Sequence, residues 1–266
     1  MYLCDRVINM RFILCKMALA HNFDKLQKGL FLLDYDGTLV EFTPMPEMAT
    51  PSKRVLDLLK KLNCRVNTKV VIISGRGYMD MEKYFSQLPI SIIAEHGAMI
   101  KNDGHWSHIN LSPDSWKRAI YPMLRQFALS CPGSFIEEKE FSLVWHYRNA
   151  LEIDGNIKSR ELIQVLASSI SSLGLKLLDG NKVIEIMDKS IGKGNATLKY
   201  IEENYFDYIV SIGDDKTDEE VFEVLSLNLT AETIKVGPGQ TKAKHRLENV
   251  DEVLMYLEQI VSDTNN

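Results

Sequence analysis

Short apolar runs alternate with amphipathic stretches over the first hundred residues of the chain. The run Leu30–Leu33 is too short for a helix and suits a buried parallel strand, and Val70–Ile73 has the same character. From Thr50-Pro51 onward, apolar residues recur at helical spacing, which predicts a helix with the threonine as N-cap and proline at its first position. A further helix and strand follow. This alternation predicts a parallel sheet with helices on both faces.

The alternation of strands and helices changes at about residue 102 and resumes near residue 183. The intervening elements are a helix at 114–128, strands at 135–138 and 142–147, a helix at 157–173, and strands at 175–178 and 183–187. The order predicts an α+β unit inserted into an α/β core. We therefore expect four segments: an N-terminal extension (1–29), a first core part (30–101), a cap (102–182) and a second core part (183–266).

Composition narrows the class of protein. Hydrophobic residues make up 45% and charged residues 25% of the 266 residues, which is ordinary for a globular chain. With a formal net charge of -5, the chain lacks the excess of basic residues that is typical of nucleic-acid-binding proteins. The apolar segment Val7–Ala20 is too short and too charged to span a membrane. We expect a cytoplasmic protein that binds neither nucleic acid nor membranes.

The first of four polar clusters follows the first predicted strand and contains Asp34, Asp36 and Gly37. Two carboxylates this close resist joint ionisation unless a positive charge offsets them, and a divalent metal would do so. Asp34 can then attack phosphorus, while Asp36 protonates the leaving oxygen and later activates water. The alternative is an ordinary Asp-rich turn after a strand.

Two further clusters offer donors for a phosphate. Ser74 follows the second predicted strand and could donate its hydroxyl; for this residue alone, a helix N-cap or a turn serine is the more common role. Lys193 lies in Gly192-Lys193-Gly194 at a predicted helix start, where its charge opposes the helix dipole. An acidic neighbour or a bound phosphate would explain that position; a solvated surface lysine is the alternative.

The fourth cluster places five acidic residues within seven positions, from Asp214 to Glu220. Dipole compensation at a helix start accounts for some of them but not for all five. Directly after an apolar strand, such a run suits a Mg2+ site built from oxygen ligands, with a highly charged helix cap as the alternative. Because ligands of parallel sheets bind beyond the carboxyl ends of the strands, we expect all four clusters to meet in one crevice.

Taken together, these clusters resemble the four motifs of the haloacid dehalogenase-like phosphatase superfamily. The resemblance runs from about Leu30 to Ile260 and implies a Rossmann-like core with an inserted cap. It implies an enzyme that forms an aspartyl-phosphate on Asp34, with Asp36 and Lys193 as the other catalytic residues. It also implies Mg2+ bound by Asp34, the carbonyl of Asp36, and Asp214, with Asp215 and Asp218 in or beside the outer shell.

Within the superfamily, the chain is similar to the trehalose-6-phosphate phosphatases. The stretches Ile73–Arg76, Glu95–Gly97, Glu137–Lys139, His146–Arg148 and Ile234–Gly237 carry that similarity. It implies hydrolysis of trehalose 6-phosphate as the last step of trehalose biosynthesis, beside a trehalose-phosphate synthase of the same pathway. The substrate-binding residues that it implies are Thr38, Ser74, Gly75, Arg76, Glu95, His96, Glu137, Lys139, His146, Arg148 and Glu185.

Three other functions remain open at this point. A related capped phosphatase would act on sucrose phosphate or mannosyl-phosphoglycerate. A phosphomutase would use a second sugar in place of water as acceptor. A catalytically silent sugar-phosphate sensor would keep the fold without the reaction, but Asp34, Asp36 and Lys193 are all present.

Overall fold

The structure is a computed structural model that describes residues 27–43, 45–109 and 115–262. Most of the expected N-terminal extension (1–29) lies outside these ranges. The strands, in chain order, are β1 (Gly29–Leu33), β2 (Thr68–Ile73), β3 (Ser91–Ala94), β4 (Met99–Asn102), β5 (His105–His108), β6 (Phe135–Glu138), β7 (Ser142–His146), β8 (Leu175–Gly180), β9 (Val183–Asp188), β10 (Tyr208–Gly213), β11 (Ala231–Val236) and β12 (His245–Leu247). The helices are α1 (Lys53–Asn63), α2 (Tyr78–Phe85), α3 (Ser115–Ser130), α4 (Glu152–Ser172), α5 (Lys193–Glu203), α6 (Lys216–Leu225) and α7 (Val250–Ser262).

An eight-stranded sheet in the order β12-β11-β10-β1-β2-β3-β4-β5 forms the core. The strands from β12 to β3 are parallel, and β4 and β5 extend the sheet as an antiparallel hairpin. Every residue of β1 is buried, because helices cover both faces of the sheet. Phe31 and Leu33 pack on the side of α1, α2 and α7, whereas Leu30 and Leu32 pack on the side of α5 and α6. The predicted α/β core is confirmed.

A second, antiparallel sheet in the order β6-β7-β9-β8 forms the inserted unit. Alternate residues of β7 divide between its two faces. Leu143 and Trp145 pack against α3 and α4 in a separate apolar cluster. Val144 and His146 line a cavity on the opposite face. We call this sheet with its two helices the cap, and the sheet leaves one polar face turned to the core.

Strand pairing corrects both expected boundaries of the cap, 102 and 182. The strand β5 pairs with β4, so the chain still belongs to the core sheet at His108. The strand β9 pairs with β7 and β8, so the cap sheet continues to Asp188. The change of pattern at about residue 102 coincides with a turn that closes the β4–β5 hairpin, not with the end of the core. A turn signal does not reveal which sheet its flanking strands join.

The start of α1 also differs from the prediction of Thr50 as N-cap. The N-cap is Ser52, whose Oγ accepts a hydrogen bond from the Val55 amide at 3.3 Å. Pro51 therefore lies before the helix and not at its first helical position. Its ring disfavours helical geometry at Thr50, so capping falls to the next hydroxyl.

Replacing the N-cap, Ser52→Ala, should lower the free energy of unfolding by about 1 kcal/mol, because the Val55 amide loses its acceptor. Urea unfolding of the two proteins measures the difference. Thr50→Ala is the matched control and should change stability much less. A larger loss for Thr50→Ala would restore the original cap assignment.

Candidate active site

A cavity of about 450 Å³ lies between the carboxyl ends of the core strands and the polar face of the cap. Polar residues from all four sequence clusters line it, together with residues of the cap sheet. The predicted site residues on its wall are Asp34, Asp36, Ser74, Gly75, Arg76, His96, Glu137, Lys139, His146, Arg148, Glu185, Lys193, Asp214 and Asp215. The structure thus brings the distant segments together, as the topology requires.

Lys193 lies at the centre of the core side of the site. Its Nζ donates to Asp34 Oδ1 at 2.6 Å and to Asp218 Oδ1 at 2.9 Å. All three side chains are almost fully buried. Burial alone would lower the pKa of Lys193, but the charges of Asp218 and Asp34 outweigh it and raise that pKa. Lys193 is therefore a permanent cation beside the predicted nucleophile.

Asp218 orders the acidic loop that precedes α6. Its second oxygen, Oδ2, accepts from the amides of Asp214 and Asp215, each at 3.0 Å. Asp215 caps α6, and its Oδ1 accepts from the Lys216 amide at 2.6 Å. Both oxygens of Asp218 are thus occupied by donors of this chain. Asp218 holds Lys193 and the loop in place.

Three carboxylates meet at the floor of the cavity. Asp34, Asp214 and Asp218 each offer an oxygen within 4.8 Å of the others. Asp34 Oδ2 and Asp214 Oδ1 are buried and have no hydrogen-bond partner among the described residues. Unpaired buried carboxylate oxygens are costly, and a hard cation with oxygen ligands such as Mg2+ would satisfy them. The residues present fit that ion.

Gly37 allows the two acidic segments to approach each other. Its φ is +82°, and a Cβ at this position would lie 2.4 Å from Asp214 Oδ2. A side chain here would therefore displace the Asp214 carboxylate. The glycine of the first motif serves both the tight turn and the packing of the acidic loop.

The carboxylates of this cluster carry more negative charge than Lys193 can offset. Burial, with the neighbouring charge of Asp218, raises the pKa of Asp34 to about 7. Burial, with the charges of Asp34 and Asp218, raises the pKa of Asp214 to about 9. Lys193 opposes both shifts but does not cancel them. One lysine against three carboxylates leaves an excess of negative charge that a divalent cation would offset.

Asp36, the predicted acid and base, is held by Arg76. The guanidinium donates Nε to Oδ2 and Nη2 to Oδ1, both at 2.7 Å, and Nη1 donates to the Pro46 carbonyl at 2.7 Å. Such a two-pronged pair fixes the orientation of the carboxylate. Arg76 was predicted to bind substrate, and it does line the cavity, but its donors are directed at Asp36 and Pro46.

The loop after β2 forms the side of the cavity between core and cap. Ser74 is buried, and its Oγ accepts from the Arg76 amide at 3.2 Å, leaving its own proton for another acceptor. The His96 ring lies over Gly75, where a Cβ would come within 2.3 Å of Nε2. Glycine at position 75 is required by that close approach.

Charged side chains of the cap face the cavity opposite the acidic floor. Glu185 accepts from Lys139 Nζ at 3.1 Å and from Ser142 Oγ at 2.6 Å, and its Oε2 lies 3.1 Å from His96 Nε2. Burial opposes ionisation of Glu185, but the charges of Lys139 and His96 outweigh it and lower its pKa. Glu137 Oε2 lies 2.7 Å from His146 Nε2. The cap thus presents a charged, preorganised polar face.

Among the described residues that were predicted to bind substrate or metal, Thr38, Glu95 and Asp218 do not line the cavity. Thr38 is fully buried. Glu95 is 3% exposed, and its carboxylate accepts from the Phe141 amide at 3.0 Å and from the Tyr78 amide at 3.5 Å. This geometry corrects the substrate-binding prediction for Glu95, because its oxygens bind backbone amides of this chain.

Sequence reasoning missed the aromatic part of the cavity wall. Phe135 stacks on His146 with ring centroids 4.5 Å apart, and Phe42 lies 5.7 Å from the Arg148 guanidinium. The first pair was open to prediction, because Phe135 and His146 are cross-strand partners in the β6–β7 hairpin. Phe42 lies in a loop of the core, and no periodic pattern links it to the cap.

A parallel α/β core with a carboxylate, a lysine and an acidic loop at its strand ends, covered by an inserted cap, defines a haloacid dehalogenase-like hydrolase. A solved hydrolase of that type from Bacteroides thetaiotaomicron shares the fold, with a TM-score of 0.63 and 16% identity over 88% of this chain and all of the other. The trehalose-phosphatase family model matches residues 32–252. The chain belongs to that family.

Relatives of known name are similar along most of the chain. The bifunctional trehalose-6-phosphate synthase/phosphatase of Thermoproteus tenax is 39% identical over 243 residues, which is 91% of this chain and 33% of that protein. The C-terminal domain of Candida albicans trehalose-6-phosphate phosphatase has a TM-score of 0.85 at 28% identity, over 92% of this chain and 96% of that domain. The chain spans about a third of the length of the first curated relatives.

The acidic floor should destabilise the metal-free protein. A carboxyl group with a raised folded pKa costs no stability below its unfolded pKa and costs more as pH rises toward the folded value. For Asp214 this window runs from about 4 to about 9. Asp214→Asn should therefore raise Tm in EDTA at pH 8 by about 2–4 °C, and it should abolish the rise in Tm that we expect Mg2+ to give the unaltered protein. An equal Mg2+ response in both proteins would exclude Asp214 as a ligand.

Proposed function

We propose that the chain hydrolyses trehalose 6-phosphate to trehalose and phosphate. The observation that carries the proposal is the buried Asp34–Lys193–Asp218 cluster beneath a cavity whose roof is a charged cap face. Family membership supports the choice of sugar, since matching relatives are named as trehalose-6-phosphate phosphatases. The first curated relatives are about three times as long as the stretch that matches this chain. The proposal therefore concerns the phosphatase activity of this stretch, whether it acts alone or within a longer protein.

The proposed chemistry runs through Asp34 and Asp36. An Asp34 oxygen attacks phosphorus, the bond from phosphorus to the sugar oxygen breaks, and protonated Asp36 gives its proton to that oxygen. Asp36 then takes a proton from water, whose oxygen attacks phosphorus and releases Asp34 and phosphate. Arg76 orients Asp36 for both transfers.

The phosphate must be held by donors and by a cation. Lys193, whose Nζ bonds Asp34, and Ser74 both line the cavity, and each carries a group that can donate to phosphate oxygens. We propose that Asp34, Asp214 and the carbonyl of Asp36 bind Mg2+, with Asp215 and Asp218 holding the surrounding loop. When bound, Mg2+ offsets the repulsion between the Asp34 carboxylate and the phosphate dianion.

The cap supplies specificity for the sugar in this proposal. Phosphoryl chemistry in the core does not depend on the alcohol, so selection requires groups that reach the distal hydroxyls. Glu137, Lys139, His146, Arg148 and Glu185 line the cavity and offer both donors and acceptors. A site built to bond hydroxyls rejects analogues that lack them, because its buried polar groups then stay unpaired.

The proposed substrate also implies a partner and a location. The Thermoproteus tenax relative of this chain is named as a bifunctional trehalose-6-phosphate synthase/phosphatase. We propose that a trehalose-phosphate synthase, in the same chain or separate, supplies the substrate of this unit in the cytoplasm. Within the described helices, none is long and apolar enough to cross a membrane.

Asp34→Asn should lower the rate of phosphate release by more than about a thousandfold, because no covalent intermediate can form. Circular dichroism and Tm would verify that the variant folds. Asp57→Asn, on the solvent side of α1, is the matched control for loss of one carboxylate charge. Near-normal turnover by a folded Asp34→Asn protein would contradict the mechanism.

A panel of sugar phosphates tests the substrate. Trehalose 6-phosphate should be hydrolysed with the highest kcat/KM, and glucose 6-phosphate poorly. Lys139→Ala should lower kcat/KM for trehalose 6-phosphate by about tenfold relative to that for 4-nitrophenyl phosphate. Preference for sucrose phosphate or mannosyl-phosphoglycerate would overturn the substrate and keep the mechanism. Transfer to a second sugar would indicate a phosphomutase.

A further inference from the structure

The turn Glu95–Gly97, between β3 and β4, has an unusual backbone. Its three residues have φ values of 48°, 55° and 110°, and the first two are not glycine. Consecutive side-chain-bearing residues adopt this left-handed region only when surrounding contacts hold them there. The Glu95 amide donates to the Arg76 carbonyl at 2.9 Å, and the His96 amide donates to the Ser74 carbonyl at 3.0 Å. The turn is thereby fixed to the loop that carries Ser74.

Both side chains of this turn reach the cap. Glu95 Oε2 accepts from the Phe141 amide at 3.0 Å, and His96 Nε2 lies 3.1 Å from Glu185 Oε2. Phe141 ends the hairpin loop 139–141 between β6 and β7, and the same loop begins with Lys139, the proposed recognition residue. The strained turn of the core therefore contacts both the loop and the strand that carry the charged groups of the cap.

The same hairpin loop is held from two sides. On the cap side, Lys117 Nζ of α3 donates to the carbonyls of Lys139 at 2.7 Å and of Glu140. On the core side, Glu95 accepts from the Phe141 amide, and Lys139 Nζ donates to the Gly75 carbonyl at 2.8 Å. The position of Lys139 in the cavity thus depends on contacts of the loop with both domains.

The surroundings of Glu95 make its bond to Phe141 consequential. Phe141 packs against an apolar cluster at the junction of core and cap that contains Ala98, Met187 and Ile191. A partly buried amide that loses its acceptor in such surroundings carries a desolvation cost. Glu95 is itself 3% exposed and lies off the cavity wall, so it cannot serve as a direct contact for the sugar.

We propose that Glu95 is a positioning residue that seats the cap loop 139–141 on the core and thereby places Lys139 and Glu185 for sugar recognition. The role in recognition rests on the proposed function, whereas the seating of the loop does not. Glu95 bonds both the loop that carries Ser74, the proposed phosphate donor, and the loop 139–141, which carries Lys139, the proposed sugar contact. Its loss should therefore weaken recognition of the large substrate more than phosphoryl chemistry.

The kinetic test compares Glu95→Ala and Glu95→Gln with Glu82→Ala in the full chain. Glu82 is the matched control, because its Oε2 accepts from Lys101 at 2.6 Å and from Trp106 at 2.8 Å within the core. Glu95→Ala should lower the ratio of kcat/KM for trehalose 6-phosphate to that for 4-nitrophenyl phosphate by about tenfold, mainly through KM. Glu95→Gln keeps an acceptor oxygen and should restore most of the ratio, and Glu82→Ala should leave it within about twofold.

Amide hydrogen exchange provides a readout that needs no substrate. Glu95→Ala should speed exchange at the Phe141 amide by about tenfold, and Glu82→Ala should not. Unchanged exchange in Glu95→Ala would overturn the seating role. If Glu95→Ala lowers kcat/KM equally for both phosphate substrates, and Glu82→Ala does the same, the recognition role is overturned. The loss of activity would then reflect a general loss of stability.

A double-mutant cycle tests whether Glu95 acts through Lys139. If it does, Glu95→Ala combined with Lys139→Ala should lower the specificity ratio by less than the product of the single effects. Independent, multiplicative effects would overturn that coupling.

If the unaltered protein hydrolyses 4-nitrophenyl phosphate but not trehalose 6-phosphate, the proposed function fails. The exchange rate of the Phe141 amide still decides whether Glu95 seats the loop 139–141.

Discussion

The contact on which the rest of the site depends is the buried ammonium of Lys193 between Asp34 and Asp218. It joins the end of β1 and the first turn of α6 to the start of α5, so three segments far apart in sequence share one charge cluster. Removal of one partner from a buried ion pair typically costs about 3–5 kcal/mol, because the other charge is left uncompensated. The cluster therefore constrains the fold and the chemistry at once. Its remaining negative charge explains why the same floor suits a divalent cation.

A second constraint is that buried charged groups of the cap meet the core at their junction. Glu185 is shared by Lys139 and Ser142 of the cap and by His96 of the core. Desolvated charges of this kind are stable only when every one of them has a partner. A closed arrangement of cap and core satisfies them together with the Lys139 contact to the Gly75 carbonyl. Of these contacts, His96–Glu185 and Lys139–Gly75 cross between core and cap, whereas Lys139 and Ser142 bind Glu185 within the cap. The relative position of cap and core therefore depends on the two crossing contacts.

The core and its motifs could be predicted from the sequence, because both depend on local patterns. Apolar runs such as Leu30–Leu33 mark buried strands, and topology then brings Asp34 and Lys193 to one edge of the sheet. The membership of β5 and β9 could not be predicted, since it depends on long-range pairing that periodicity does not encode. The same limit applies to Glu95. Motif reasoning placed it near the substrate, whereas its binding of backbone amides depends on where the hairpin loop of the cap lies.

The division between core and cap also explains where the molecule can vary. Asp34, Lys193 and Asp218 form a closed set in which a change to one leaves a buried charge without its partner. Most cavity-facing residues of the cap project from an antiparallel sheet whose other face forms a separate apolar cluster. Changes at His146, on β7, or at Arg148, in the turn after it, would alter the cavity wall while that cluster keeps the sheet in place. The loop 139–141 is the exception, because it is bonded to both domains. If the cap selects the sugar as proposed, a change of sugar specificity is physically easiest along the face of the sheet and hardest at the junction where Glu95 bonds the loop 139–141.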